Sequence, residues 1–291
     1  MEEEILKSDF FQKELDRYGL KDERVSLIRE KDGVIVARVW MNRKTAILKC
    51  FENADFRREI ENYDILRNLE IPTIKVFGKS DRSILLEDLT ASDEYRLGEE
   101  EDLHDPEVIK AIAGWYKILH QNGCKYVQEH GNGMYEEWDL FTLKNIKTVS
   151  ERFGLRENDA VKDLLAFYPL LRAKLDCMPR TLTYNDFYYT NLAVRKDKSQ
   201  ALMFDFNLLG KGSYISDINN VTYWFNEKEN ELFYSVYGEA DEELVLLDRI
   251  CSPIISLYSA MKRDIFPDWA AEEMNALEEI PSLLLKLFDE S

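Results

Sequence analysis

The chain has 291 residues, 45% hydrophobic and 32% charged, which suits a globular protein with a sizeable core and excludes a disordered or collagen-like chain. A formal net charge of −18 argues against nucleic acid as a partner, because phosphate backbones are held by basic surfaces. The same charge favours a cationic small substrate, although acidity also serves plain solubility. No apolar run is long enough to span a bilayer, and the acidic start Met1-Glu-Glu-Glu lacks the pattern of a signal peptide. Cys50, Cys124, Cys177 and Cys251 are scattered, as are the three histidines, so the pattern predicts reduced thiols, no zinc site and a cytoplasmic location.

In chain order, residues 3–18 read as a helix with Ile5, Phe10, Phe11 and Leu15 on its apolar face. Val25–Ile28, Gly33–Met41 and Thr45–Phe51 read as strands, separated by the turns Lys31-Asp-Gly and Asn42-Arg-Lys. Residues 54–69 read as a helix with Phe56, Ile60, Tyr63 and Leu66 on one stripe. Two further strands are expected at Ile74–Gly78 and Ser83–Glu87. Helices follow at 106–121, 159–175 and 242–262, interrupted from Thr181 to Ser216. There Leu192-Ala-Val and Ala201-Leu-Met-Phe flank Lys196-Asp-Lys-Ser as a hairpin. The expectation is an α+β chain with a β-rich lobe over residues 1–89 and an α-rich lobe over 90–291. A cleft between two such lobes is a common ligand site.

Chemistry concentrates in Thr183-Tyr-Asn-Asp186-Phe-Tyr-Tyr-Thr-Asn191-Leu-Ala-Val. An Asp followed five residues later by Asn, running into an apolar strand, matches a kinase catalytic loop. Asp205-Phe206 follows at the end of the hairpin. Phosphoryl transfer needs such a set: Asp186 to orient and deprotonate an attacking hydroxyl, Asn191 and Asp205 to hold magnesium against phosphates. Upstream, Lys49 sits between apolar neighbours in a strand, where an anion is its natural partner. The following helix offers Glu59 and Glu61 to position it. Glu59 is preferred because Tyr63 then falls on the same face.

These residues resemble the aminoglycoside phosphotransferase and choline kinase superfamily, which has a protein kinase-like bilobal fold. Leu48-Lys-Cys-Phe, Glu59-Ile-Glu-Asn-Tyr, Ile84-Leu-Leu-Glu-Asp-Leu, Leu119-His120, the 183–194 loop and Phe204-Asp-Phe fall in family order over nearly the whole chain. The resemblance implies a phosphotransferase that moves the γ-phosphoryl of ATP or GTP, with magnesium, to a hydroxyl of a small molecule such as an aminoglycoside or amino alcohol. It implies that Lys49 meets the α/β-phosphates with Glu59 behind it. It also implies that Ile84–Leu89 is the hinge where Glu87 and Leu89 meet the purine edge, and that Asp217 braces the catalytic loop. The chain departs from the pattern at Tyr184-Asn185, where the family has His-Gly, and at Asn207, where glycine often follows Asp-Phe.

Other residues have plainer readings. His120 at a helix end reads as a buried capping contact, and Trp224, Phe225, Tyr234 and Tyr237 read as core aromatics. Glu99-Glu-Glu-Asp102 reads as a solvated loop, and Glu239 with Asp241, Glu242 and Glu243 as the acidic start of a helix. Two rivals share the fold: a protein kinase, disfavoured by the missing Ala-Pro-Glu motif, and a non-catalytic nucleotide-binding protein, disfavoured by the intact Lys49, Asp186, Asn191 and Asp205.

Overall fold

A computed structural model describes residues 2–41, 44–263, 265–267 and 270–289. Two helices open the chain, α1 (Glu2–Leu6) and α2 (Asp9–Arg17), where the sequence suggested one. The break has a local cause: the Ser8 hydroxyl accepts from the Phe11 N–H and starts the second helix. Then come β1 (Val25–Lys31), β2 (Val34–Met41), β3 (Lys44–Phe51), α3 (Arg58–Asn68), β4 (Val76–Lys79), β5 (Ser83–Glu87) and β6 (Tyr95–Leu97). The turn between β1 and β2 puts Asp32 and Gly33 at positive φ (55° and 77°), which is what a two-residue hairpin loop requires. In the next expected turn, Asn42 and Arg43 lie outside the described residues. Helix α4 runs from Pro106 to His130, well past the expected end, so His120 is mid-helix rather than at a cap. The remaining elements are α5 (Leu143–Arg152), α6 (Asp159–Cys177), β7 (Thr181–Thr183), β8 (Leu192–Arg195), β9 (Ala201–Met203), β10 (Gly210–Gly212), α7 (Tyr214–Thr222), α8 (Glu227–Tyr237), α9 (Glu242–Ala260), α10 (Ala270–Ala276) and α11 (Ile280–Asp289).

The chain forms two compact units. The first comprises Met1–Asn122, Tyr184–Leu209 and Asn220–Tyr237. It holds an antiparallel sheet in the order β1-β2-β3-β5-β4. Strand period fixes its faces. Ala46, Leu48 and Cys50 of β3 join Ile35, Ala37 and Val39 of β2 and Leu85 of β5 on one face, covered by Phe11 and Leu15 of α2. Lys49 therefore points to the opposite face. The hairpin β8–β9 is in this unit too, extended by β6, which the sequence reading did not anticipate.

The second unit comprises Gly123–Thr183, Gly210–Asn219 and Gly238–Ser291. Its α9 packs against α5, α10 and α11 and buries Leu244, Leu247, Ile250, Ile254 and Leu257. The Asp241 carboxylate caps this helix by accepting from the Leu244 N–H, so the acidic run 239–243 is a helix start. Asp217, in α7, is buried, and so is Asp248, which accepts from Ser216 Oγ (2.9 Å) and Asn219 Nδ2 (2.6 Å).

Burial, with Asp248, Asp217 and Glu273 nearby, pushes the Glu137 carboxyl up to about 8. An ordinary glutamate value applies once the chain unfolds, so the folded state binds the extra proton between about 4.5 and about 8. The stability that Glu137 contributes is present below that window and is lost as pH rises through it. Glu137→Gln should leave the melting temperature unchanged near pH 4.5 and raise it increasingly up to pH 8.5. A thermal melt series that shows no pH-dependent gain would remove Glu137 as a source of this strain.

Candidate active site

The site lies in the first unit, and its parts come from four segments. Strand β3 supplies Lys49, which is buried to 8% exposure. Its ammonium donates to Glu59 Oε2 (2.6 Å) and to Asp205 Oδ1 (2.9 Å). Helix α3 supplies Glu59 on a face that also buries Asn62, Tyr63 and Leu66, spaced three and four apart. Glu61 points to solvent, so the lysine pairs with Glu59. The sequence stripe for this helix placed Phe56 on the buried face and left out Asn62, while Glu59 was chosen as the partner of Lys49. The structure half-exposes Phe56 and buries the two polar residues instead.

Asp205 follows β9. Its backbone is left-handed (φ 61°, ψ 68°), a region where Asp is better tolerated than most side chains but which still costs about 1–3 kcal/mol. The Asn207 amide also donates to Asp205 Oδ1 (2.9 Å). Burial pushes the Asp205 carboxyl up, but Lys49, through charge and hydrogen bond, and the Asn207 donor outweigh it and hold the group below the ordinary carboxylate range. Burial acts on Glu59 more strongly: with Asp205 and Asp186 adding to it and Lys49 opposing, its carboxyl rises to about 7. Lys49 itself is pulled down by burial and up by its two carboxylates, with a net rise.

The loop before β8 supplies Asp186 and Asn191. The Asn191 Nδ2 donates to the Asp186 carbonyl (3.1 Å) and to Asp186 Oδ2 (3.2 Å). Those bonds commit its nitrogen and leave its oxygen as the atom suited to a cation. The Phe204 N–H donates to the Asn191 carbonyl (3.1 Å), so the hairpin sets Asn191 beside the Asp205 segment. One ionised carboxylate and one carboxamide oxygen are a hard-oxygen donor set of the kind magnesium takes together with phosphate oxygens and waters. Among the described residues no group of three or more His, Cys, Asp or Glu could hold a metal ion by itself.

The two family departures have physical roles. Asn185 stands where the family has glycine, and its φ is 63°, a backbone that after glycine suits Asn best. Tyr184 is fully buried and donates to the Phe204 carbonyl (2.5 Å). At the expected hinge, Glu87 and Leu89 are both buried, and Ser92 Oγ donates to Glu87 Oε1 (2.6 Å).

Beside Asp186 the loop exposes aromatic rings. Tyr188 is 41% exposed, Tyr223 60%. Tyr188 lies 4.6 Å from Tyr189 and 5.4 Å from Trp224, and Trp224 5.6 Å from Tyr223, centroid to centroid. Neither Tyr188, Tyr189 nor Tyr223 was singled out from sequence, because adjacent aromatics carry no period. Of the aromatics read as core, Phe225 is buried, while Trp224, Tyr234 and Tyr237 are half-buried. The 3-10 helix Glu100–His104 packs on the Tyr189–Asn191 turn, and Glu100 and Glu101 push the Tyr189 hydroxyl up, behind the larger effect of Tyr188. Asp102 is not solvated as expected: it is buried and takes both Arg96 nitrogens at 2.6 Å. His120 is buried and pairs with the Tyr237 hydroxyl through Nδ1 (2.8 Å).

A sequence model of the phosphotransferase enzyme family matches residues 32–250, and the chain belongs to that family. No curated protein matches it in sequence. Among solved structures it is similar to choline kinase LicA from Streptococcus pneumoniae (12% identity, 94% of this chain and 100% of that one, TM-score 0.63). It is similar to an ethanolamine kinase from Plasmodium vivax (18%, 96% and 87%, TM-score 0.59). It is also similar to spectinomycin phosphotransferase APH(9)-Ia solved with ADP and spectinomycin (13%, 93% and 92%, TM-score 0.62). The fold is the protein kinase-like one, and by its family the protein is a phosphotransferase.

Removing one member of a buried ion pair leaves an uncompensated charge, at a cost of about 3–5 kcal/mol. Lys49→Met should therefore destabilise the protein by about that much at pH 8 and by less at pH 5.5, where Glu59 takes a proton. Adding Glu59→Gln should restore most of the loss. A Lys49→Met protein as stable as wild type at pH 8 in urea titrations would contradict this account of the pair.

Proposed function

We propose that this member of the phosphotransferase family moves the γ-phosphoryl group of ATP or GTP to a hydroxyl of a small molecule of the amino alcohol or aminoglycoside kind. The supporting observation is the convergence of Lys49, Glu59 and Asp205 on one buried charge network, with Asp186 and Asn191 tied to the same segment. In this reading residues 1–89 form the nucleotide-binding lobe and 90–291 the catalytic and substrate-binding lobe. The free thiols Cys50, Cys124, Cys177 and Cys251 suit a cytoplasmic protein.

Each residue has one task. Lys49 has three N–H donors, two of them engaged by Glu59 and Asp205, and the third addresses the α/β-phosphates. Glu59 holds the lysine in place. Asp205 and Asn191 hold magnesium, which supplies neutralisation of the phosphate charge. Backbone groups at Glu87 and Leu89 meet the purine edge. Asp186 accepts the acceptor's hydroxyl proton as the new oxygen–phosphorus bond forms and the bond to the β-phosphate oxygen breaks, releasing the nucleoside diphosphate. The work is positioning and charge neutralisation, with no covalent intermediate on the protein.

The aromatic rings Tyr188, Tyr189, Tyr223 and Trp224, with Glu100 and Glu101 close by, support a cationic acceptor. Ring faces attract an organic ammonium, and the carboxylates add attraction at longer range.

Asp186→Asn and Asp205→Asn should each cut turnover by at least a hundredfold in protein that remains folded. Coupled-assay kinetics on a folded Asp205→Asn protein that returned near-wild-type rates would refute the assignment.

For an ammonium acceptor, Tyr188→Leu and Trp224→Leu should raise KM by about 2- to 30-fold, and rising ionic strength should raise it further. A neutral isostere should respond to neither change. A neutral or anionic acceptor that is used well, with a salt-independent KM, would count against the cationic reading.

A further inference from the structure

The run from Phe204 to Leu208 is gripped at alternate carbonyls. The Phe204 carbonyl accepts from Tyr184 Oη (2.5 Å), the Phe206 carbonyl from Asn62 Nδ2 (2.7 Å) and the Leu208 carbonyl from Asn185 Nδ2 (3.0 Å). Two donors come from the loop that carries Asp186 and one from α3, the helix that carries Glu59. Tyr184 and Asn62 are buried, so these bonds form away from competing water. Asp205, inside the run, has the left-handed backbone, and such a conformation persists only when its surroundings over-determine it.

The two loop donors stand where the resembled family has His-Gly. Glycine would supply the left-handed backbone at 185 but no donor. Asn185 supplies both. The Tyr184 ring packs against Trp115 (5.8 Å) and Phe206 (5.7 Å), which aims its hydroxyl at the carbonyl just before Asp205.

We propose that Tyr184, Asn185 and Asn62 are positioning residues that hold the 204–208 backbone in the one conformation in which the Asp205 carboxylate is presented to the divalent cation. The inference rests on the reading of Asp205 as a metal residue given above. It also ties that carboxylate to α3: Asn62 grips the Phe206 carbonyl one turn along the helix from Glu59, so Lys49, Glu59 and Asp205 keep their spacing together.

Manganese binding to the protein saturated with ADP, followed by the electron paramagnetic resonance signal of free Mn2+, tests this directly. Tyr184→Phe keeps the ring and removes the hydroxyl that donates to Phe204. Asn185→Gly keeps a left-handed backbone accessible and removes the side chain that donates to Leu208. Each should weaken Mn2+ binding by about tenfold, the loss typical when an outer partner of a metal ligand is removed. The Mg2+ concentration for half-maximal turnover should rise in step, while the acceptor KM and metal-free ADP binding stay as in wild type. If Tyr184→Phe does not fold, Asn185→Gly decides. A folded variant that melts earlier but binds Mn2+ as wild type does would overturn the proposal and leave these residues as packing contacts. Asp205→Asn is run alongside: loss of Mn2+ binding there supports the underlying reading, and wild-type affinity there would overturn that reading and the inference with it.

Discussion

A lysine ammonium taken out of water between two carboxylates is the constraint around which the first unit is organised. Lys49, Glu59 and Asp205 come from a strand, a helix and the end of a hairpin far apart in sequence, so no one of the three elements can shift without breaking the contact. Burying such charges is expensive, and their attraction offsets the cost only when the geometry is good. The arithmetic of charge here does not close. One ammonium faces Glu59, Asp205 and, at longer range, Asp186, and burial first, with Asp205 and Asp186 adding to it against the pull of Lys49, lifts the Glu59 carboxyl to about 7. A cation beside Asp205 would relieve it. Under the function proposed above, a metal bound together with the anionic nucleotide would balance these carboxylates.

The same constraint explains the polar face of α3. A helix that packs only apolar side chains can slide against its neighbours at small cost. Helix α3 instead buries Glu59, which faces the lysine, and Asn62, which holds the Phe206 carbonyl, with Tyr63 edge-on to the Phe206 ring at 4.9 Å between them. Directional bonds fix its register along and around its axis. That precision has to be built in, because Asp205 adopts a backbone conformation that the chain alone disfavours.

Much of this was legible in sequence where the signal was periodic or punctuated. Strand alternation set Lys49 apart from Leu48 and Cys50, the Asp32-Gly33 turn registered β1 on β2, and the Asp-x-x-x-x-Asn spacing with its hairpin drew attention to the loop. What escaped were buried polar residues. Asn62 was not singled out and Asp102 read as solvated, because apolar periodicity assigns polar residues outward, and each is buried only because a distant or bidentate partner satisfies it. The broken first helix escaped because Ser8 interrupts an apolar pattern that otherwise runs on. Asn185 read as a departure from a family pattern, when its left-handed φ makes it the residue nearest in freedom to the glycine it replaces.

The proposed acceptor side follows a different logic. Gly98 donates its N–H to the Leu192 carbonyl (2.6 Å), and a Cβ there would come within 2.6 Å of the Tyr189 carbonyl. Only a glycine lets the backbone pass so close to the catalytic loop. That close passage brings the acidic 3-10 helix onto the Tyr189–Asn191 turn, with carboxylates on one side of the exposed rings. Lys49 and Glu59 are buried, and Asp186, Asn191 and Asp205 are partly buried and tied by directional bonds, so the set tolerates little change. Tyr188 and Tyr223 are exposed, so changing them leaves the core packing intact. Under the function proposed above, substrate choice can vary through such exposed side chains while the Lys49–Glu59–Asp205 network stays as it is.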